Sequence, residues 1–129
     1  MIHIAIIDQN KTYRESLKTI LEQIEDFRVV HDSPDGKCFN GSDDIPVHIL
    51  MIDGSMSKGK CSELVQNTLT SSISIKTIVL AMFNEELDYD YGKTEVMLKS
   101  SSKREFELRI KKMMANQKEY ISQQTLKIE

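Results

Sequence analysis

Two stretches of the sequence decide the fold, Ile2-His3-Ile4-Ala5-Ile6-Ile7-Asp8 and Val47-His48-Ile49-Leu50-Met51-Ile52-Asp53. Both are short and almost continuously apolar, and both stop at an aspartate. Successive side chains of a strand point to opposite faces of the sheet, so a continuous apolar run predicts a strand that is buried on both faces, as in a parallel sheet. The two stretches therefore predict two central parallel strands, each with an aspartate at its carboxyl end.

Further strands are predicted over residues 27–30, 77–80 and 96–98, and helices are predicted between them. In the first helix, Thr12 and Glu15 are expected to form a capping box. The last helix is expected to begin at Ser102, and weaker helices are predicted over 37–44, 62–69 and 85–91. Strands that alternate with helices form an open parallel sheet with helices on both faces, so the predicted class is α/β and doubly wound.

The composition excludes several classes of function. The 129 residues fit one domain, and 17 basic against 20 acidic residues give a net charge of −3. This charge argues against a nucleic-acid groove or an anionic membrane surface as partner. No apolar run reaches the about 18 residues of a membrane span, and the first residues lack the basic region of a signal peptide. Two cysteines are too few for a disulfide scaffold, so the expected location is the reducing cytoplasm.

Charged residues follow three of the predicted strands. Asp8 follows the first strand, Asp53 the central one and Lys99 the last one. In open parallel sheets, ligands bind at the carboxyl ends of the strands. We therefore expect one edge of the sheet to gather two carboxylates and an ammonium group.

With these features the sequence resembles a response-regulator receiver domain of two-component signalling. The resemblance covers about residues 2–114 and is carried by Ile6-Ile7-Asp8, by Leu50-Met51-Ile52-Asp53 with Met56 three residues on, and by Leu98-Lys99. It implies a flavodoxin-like fold with five parallel strands in the order 2-1-3-4-5. It also implies a signalling domain in a phosphorelay, not an enzyme, with a sensor histidine kinase as partner.

The resemblance assigns roles to particular residues. Asp53 matches the phosphoacceptor, Lys99 the lysine that pairs with the phosphoryl oxygens, and Asp8 the first acid of a Mg²⁺-binding pair. The backbone carbonyl of Ser55 matches the position that supplies an oxygen to the metal. Magnesium prefers hard oxygen ligands, which explains the acidic residues beside the phosphoacceptor.

Three positions depart from the receiver pattern. The second acid of the metal pair is Gln9, so Mg²⁺ binding should be weakened by the loss of one negative charge. Ala81 stands where a hydroxyl normally contacts the phosphoryl group, and Val96 stands at the position of the aromatic switch residue. Ala81 and Lys99 are also only 18 positions apart, which predicts a shortened fourth helix.

The tail carries a second resemblance. Tyr120-Ile121-Ser122, with Leu126, is similar to the linker after receivers of NarL/FixJ-type regulators, where a LuxR-type helix-turn-helix domain follows. This implies a receiver domain over residues 1–115, and a helical extension or the start of a linker over 116–129. The chain would then be the N-terminal part of a transcriptional regulator. Without a recognition helix in these residues, the fragment itself is not expected to bind DNA.

Other interpretations stay open at this stage. Asp53 could be a structural strand-end residue, Asp8 a charge at a helix N-terminus and Lys99 a solvated surface lysine. The main functional alternative is a pseudo-receiver that acts as a dimerisation or protein-docking module without phosphorylation, and homodimerisation is compatible with either function. A flavin- or nucleotide-binding protein is disfavoured because the loop over residues 8–11 has no glycine to cradle a phosphate.

Overall fold

The computed structural model describes residues 1–36, 46–55, 63, 75–84 and 94–128, with side chains described as far as residue 116. Five strands form one sheet, and two helices are described with them. The strands are β1 (Ile2–Ile7), β2 (Phe27–Ser33), β3 (Ile49–Asp53), β4 (Lys76–Ala81) and β5 (Glu95–Leu98), and the helices are α1 (Lys11–Glu22) and α2 (Lys103–Ile128).

The sheet has the order β2-β1-β3-β4-β5, and all four strand pairs are parallel. The predicted doubly wound topology is therefore confirmed. Strand β2 is longer than predicted because it pairs along the whole of β1, from Ile2 with Phe27 to Ile7 with Ser33. A register shift between Ile4 and Ala5 accommodates this pairing.

The central strands are buried on both faces, as their apolar runs predict. On one face, Ile4 and Ile6 of β1 belong to the larger core cluster, which includes Leu17 of α1 and Phe106 of α2. On the other face, Ala5 and Ile7 pack in a second cluster with Leu50, Ile52, Ile75 and Val79. This packing on both sides fixes the carboxyl ends of β1 and β3 relative to one another.

The start of α1 differs from the prediction. Its N-cap is Asn10, whose side-chain oxygen accepts a hydrogen bond of 3.0 Å from the N–H of Tyr13. The predicted capping box of Thr12 and Glu15 is wrong because the helix already begins at Lys11. Asn10 can cap because its own N–H is held by the Asp8 carboxylate at 2.8 Å, which leaves its backbone extended and its side chain facing the first turn.

The last helix begins as predicted. Ser102 donates its N–H to the Glu105 carboxylate at 3.1 Å, and Glu105 donates its N–H to the Ser102 hydroxyl at 3.1 Å. This reciprocal pair is a capping box. Helix α2 then continues through residue 115 without a break, and the division of the chain at that point remains a prediction.

Several predicted features lie outside the described residues. They are the helix over 37–44, most of the helix over 62–69, the helix over 85–91, both cysteines and Met56. Within the described ranges, no helix combines the length and the apolar character that crossing a membrane requires.

Candidate functional site

The structure brings Asp8, Asp53 and Lys99 together at the carboxyl edge of the sheet. The Lys99 Nζ lies 2.8 Å from Asp53 Oδ1 and 3.0 Å from Asp8 Oδ2. Both carboxylates are buried, with exposed fractions of 0% for Asp8 and 1% for Asp53. One ammonium group therefore joins two buried carboxylates that end β1 and β3.

The carboxylate of Asp53 is held mainly through one of its oxygens. Oδ1 accepts hydrogen bonds from the Ser55 N–H at 2.9 Å and the Ser55 hydroxyl at 2.5 Å, in addition to the Lys99 contact. Among the described residues, Oδ2 accepts a single long bond of 3.4 Å, from the Gln9 N–H. Burial alone raises the pKa of Asp53, but the hydrogen bonds from Lys99 and Ser55 outweigh it and hold the pKa below its usual range. Asp53 is therefore ionised.

Asp8 has a different electrostatic environment. Its Oδ1 accepts the Asn10 N–H. Its Oδ2 is buried and has no partner in hydrogen-bond geometry among the described residues, although the Lys99 ammonium lies close. Burial raises the pKa of Asp8, and the charge of Asp53 adds to this rise, against the opposing effects of Asn10 and Lys99. Asp8 thus both orders the start of α1 and contributes a partly unsatisfied carboxylate to the site.

Lys99 is not a solvated surface lysine, because its side chain is only 9% exposed. Burial lowers its pKa, but the bonds and charges of Asp53 and Asp8 outweigh burial and raise the pKa above its usual value. Its backbone N–H donates to the Ala81 carbonyl at 2.8 Å. Its backbone carbonyl accepts a hydrogen bond of 2.9 Å from the Tyr13 hydroxyl, and the Tyr13 ring lies 5.0 Å from Nζ.

The sequence alone missed Arg14 as part of the site. Its guanidinium donates to the backbone carbonyl of Asp8 at 2.6 Å and to Asp32 Oδ1 at 3.2 Å. Lys18 also lies near Asp32, at 3.6 Å. The predicted second strand ended at residue 30, so nothing in the sequence placed Asp32 beside α1.

The oxygens present suit a hard divalent cation. In the part of the chain that the structure describes, the buried Oδ2 of Asp8, which lacks a hydrogen bond, and the buried Asp53 carboxylate are the side-chain donors available to a cation. Among the described residues, no cluster of three or more His, Cys, Asp and Glu side chains occurs. Gln9 contributes its backbone N–H to Asp53. The two carboxylates could therefore hold Mg²⁺, but with one negative charge fewer than an acidic pair beside Asp53 would give.

The end of β4 is apolar where it adjoins the site. Ala81 is fully buried and pairs with Leu98, and its methyl group offers no hydrogen-bond donor. Val96 packs against the second core cluster. The two side chains at these positions therefore lack the hydroxyl and the aromatic ring of the receiver pattern.

A glycine joins Asp53 to the loop that follows. The Gly54 N–H donates to the Leu80 carbonyl at 2.8 Å. A Cβ at this position would lie 2.9 Å from the same carbonyl oxygen and 3.0 Å from a Val79 methyl. Glycine is needed here because the backbone passes so close to β4.

The fold is that of the response-regulator receiver class. Solved structures with this fold include the RcsB response regulator of Salmonella typhimurium (23% identity, TM-score 0.72, covering 89% of this chain and 60% of that one). The non-phosphorylated receiver domain of Escherichia coli RcsB matches at 23% identity with a TM-score of 0.72, over 89% of this chain and 94% of that chain.

The response regulator ChrA of a heme-sensing two-component system is similar at 19% identity with a TM-score of 0.62, over 82% of this chain and 53% of that chain. No protein-family model and no curated protein sequence matches the chain. At these identities the likeness establishes the fold. The chain spans about 60% of the full-length RcsB chain, and RcsB itself has been solved as dimers bound to DNA and with the phosphomimetic BeF₃⁻ at a promoter.

Proposed function

We propose that the chain is the receiver domain of a cytoplasmic response regulator and that it accepts a phosphoryl group from a sensor histidine kinase on Asp53. The observation that carries the proposal is the buried Asp53 carboxylate, which lies 2.8 Å from the Lys99 ammonium at the carboxyl edge of a receiver fold. By analogy with RcsB, a DNA-binding output domain and a homodimer belong to the full-length protein. The domain acts as a signalling element, not as an enzyme with its own turnover.

The chemistry assigned to Asp53 is nucleophilic. Among the described contacts, its Oδ2 is the less engaged oxygen, so it attacks phosphorus while Oδ1 keeps its bonds to Ser55. A bond forms between this oxygen and phosphorus, the bond from phosphorus to the kinase histidine nitrogen breaks, and the imidazole nitrogen keeps the electron pair. The Asp53 carboxylate loses its charge in the product, which frees the Lys99 ammonium to pair with a phosphoryl oxygen.

Asp8, Asp53 and the backbone carbonyl of Ser55, with Gln9 at a weakened position, are the residues that would hold Mg²⁺. The cation supplies positive charge to the phosphoryl oxygens during transfer. Because Gln9 brings no carboxylate, we expect phosphorylation to need a higher Mg²⁺ concentration than it would at a site with two adjacent acids.

The test uses the whole chain with phosphoramidate and MgCl₂, and intact-mass spectrometry as readout. Wild type should gain one phosphoryl group, and Asp53→Asn should gain none. The matched control is Asp26→Asn, because Asp26 is an exposed aspartate with a positive φ of 72° that asparagine also tolerates. Modification of Asp53→Asn to the extent of wild type, or no modification of folded wild type, would contradict phosphorylation at Asp53.

The pseudo-receiver is a second candidate, favoured by the apolar side chains of Ala81 and Val96. A ligand that makes no different contacts in two states cannot shift their populations. If Asp53 binds the phosphoryl mimic but Ala81 and Val96 do not relay its presence, beryllofluoride with Mg²⁺ should perturb the amide NMR signals of the strand-end cleft and little else. Large shifts along β4 and β5 that disappear in Asp53→Asn would indicate an ordinary phosphorylation switch, and no shifts at all would favour the pseudo-receiver.

A further inference from the structure

We propose that Tyr13 is a positioning residue that holds Lys99 in the site from both ends of the lysine. Its hydroxyl donates to the backbone carbonyl of Lys99 at 2.9 Å, and its ring lies 5.0 Å from the Lys99 ammonium. One contact orients the turn from which Lys99 projects, and the other supports the charged end of the side chain. The contribution of Tyr13 to phosphoryl transfer rests on the proposed function, but its hold on Lys99 does not.

Lys99 needs such support. A lysine side chain has four rotatable carbon–carbon bonds and a strongly hydrated ammonium group, so burial does not by itself fix its direction. The backbone N–H of Lys99 is anchored to Ala81 on the β4 side. Tyr13 anchors the carbonyl of the same residue on the side of α1. The peptide units on both sides of the lysine are thereby tied to different elements.

Tyr13 is itself well placed for this role. It lies in the first turn of α1, and its N–H is fixed by the Asn10 cap, whose own N–H is held by Asp8. A chain of contacts therefore runs from the Asp8 carboxylate through the helix start to Lys99. The same short segment orders one carboxylate of the site and the cation that neutralises it.

Tyr13 also packs against the larger core cluster, so the variants must separate packing from positioning. Tyr13→Phe keeps the ring over the ammonium and removes the hydroxyl. Tyr13→Leu removes both contacts and keeps an apolar side chain. Ile110→Val serves as the packing control, because Ile110 is buried in the same cluster and belongs to α2.

The first experiment records the side-chain ammonium ¹H–¹⁵N spectrum of the whole protein, with the Lys99 signal assigned by its loss in Lys99→Met. The aromatic ring should shift the Lys99 ammonium protons upfield in wild type and in Tyr13→Phe, and this shift should vanish in Tyr13→Leu. Ile110→Val should leave the signal in place. An unchanged signal in Tyr13→Leu, or an equal change in Ile110→Val, would overturn the proposal.

The second experiment measures the rate of phosphorylation by phosphoramidate. Loss of the hydroxyl contact should slow Tyr13→Phe by about fivefold. Loss of both contacts should slow Tyr13→Leu by about tenfold to thirtyfold, with Ile110→Val close to wild type. A rate in Tyr13→Leu equal to that of wild type would overturn the role in transfer. If wild type itself is not phosphorylated while the ammonium signal behaves as expected, the proposed function fails and the positioning of Lys99 stands.

Discussion

Replacing Lys99 by methionine tests the electrostatic description of the site most directly. The substitution keeps an unbranched apolar stem and removes the ammonium that lies 2.8 Å and 3.0 Å from two buried carboxylates. Removing one partner of a buried ion pair leaves an uncompensated charge and costs about 3–5 kcal/mol. Domains of this size are stable by about 5–15 kcal/mol, so Lys99→Met should lose a large fraction of the free energy of unfolding at neutral pH.

The loss of unfolding free energy in Lys99→Met should become smaller as pH falls. In wild type the pKa of Asp53 lies below its unfolded value, so its stabilising contribution is present above the unfolded pKa and is lost as pH falls through the folded pKa. In Lys99→Met, the ammonium no longer lowers the pKa of either carboxylate, so the folded pKa values of Asp53 and Asp8 both rise relative to wild type. The folded variant then takes up protons at a higher pH than folded wild type, so its loss of stability relative to wild type decreases as pH falls.

Urea denaturation followed by far-UV circular dichroism measures both effects, and it suits a chain without tryptophan. The difference in unfolding free energy between wild type and Lys99→Met should be largest at neutral pH and should narrow towards about pH 5. A loss below about 1 kcal/mol, as for a surface ion pair, or a difference that does not change with pH, would refute the reasoning.

Three further substitutions test neighbouring features. Asp8→Asn should leave the stability at neutral pH unchanged or increased, because burial and the charge of Asp53 raise the pKa of Asp8, and a loss above about 1 kcal/mol in urea denaturation would contradict this. Gly54→Ala should cost about 1–3 kcal/mol by overpacking, since its Cβ would meet the Leu80 carbonyl, and a thermal melt checks it. Ser102→Ala should cost about 1 kcal/mol through loss of the α2 cap, and an unaltered urea midpoint would speak against the capping box.

The sequence predicted those features that depend on patterns along single elements. The apolar runs located β1 and β3, and the aspartates after them placed Asp8 and Asp53 at one edge. The last helix was expected to begin at Ser102, and the structure places its N-terminal cap there. These features were predictable because burial on both faces of a strand and capping of a helix both leave local sequence patterns.

Features that depend on contacts between elements were not predictable in the same way. Asn10 became the N-cap instead of Thr12 because Asp8 binds its N–H, a tertiary consequence of where β1 ends. Arg14 reaches Asp32 because β2 pairs along the full length of β1. The contact of the Tyr13 hydroxyl with Lys99 was not predictable either, since the spacing of apolar positions carries no information about where a hydroxyl points.

Two backbone hydrogen bonds at the end of β4 allow local opening of the site to be measured. The amides of Gly54 and Lys99 donate to the consecutive carbonyls of Leu80 and Ala81. The first bond lies beside Asp53 and the second at Lys99. Amide hydrogen exchange measures the free energy of opening at each bond separately. Slow exchange of both amides at a common rate would mean that the two sides of the cleft open as one cooperative unit. Unequal rates would identify the side of β4 that opens more readily.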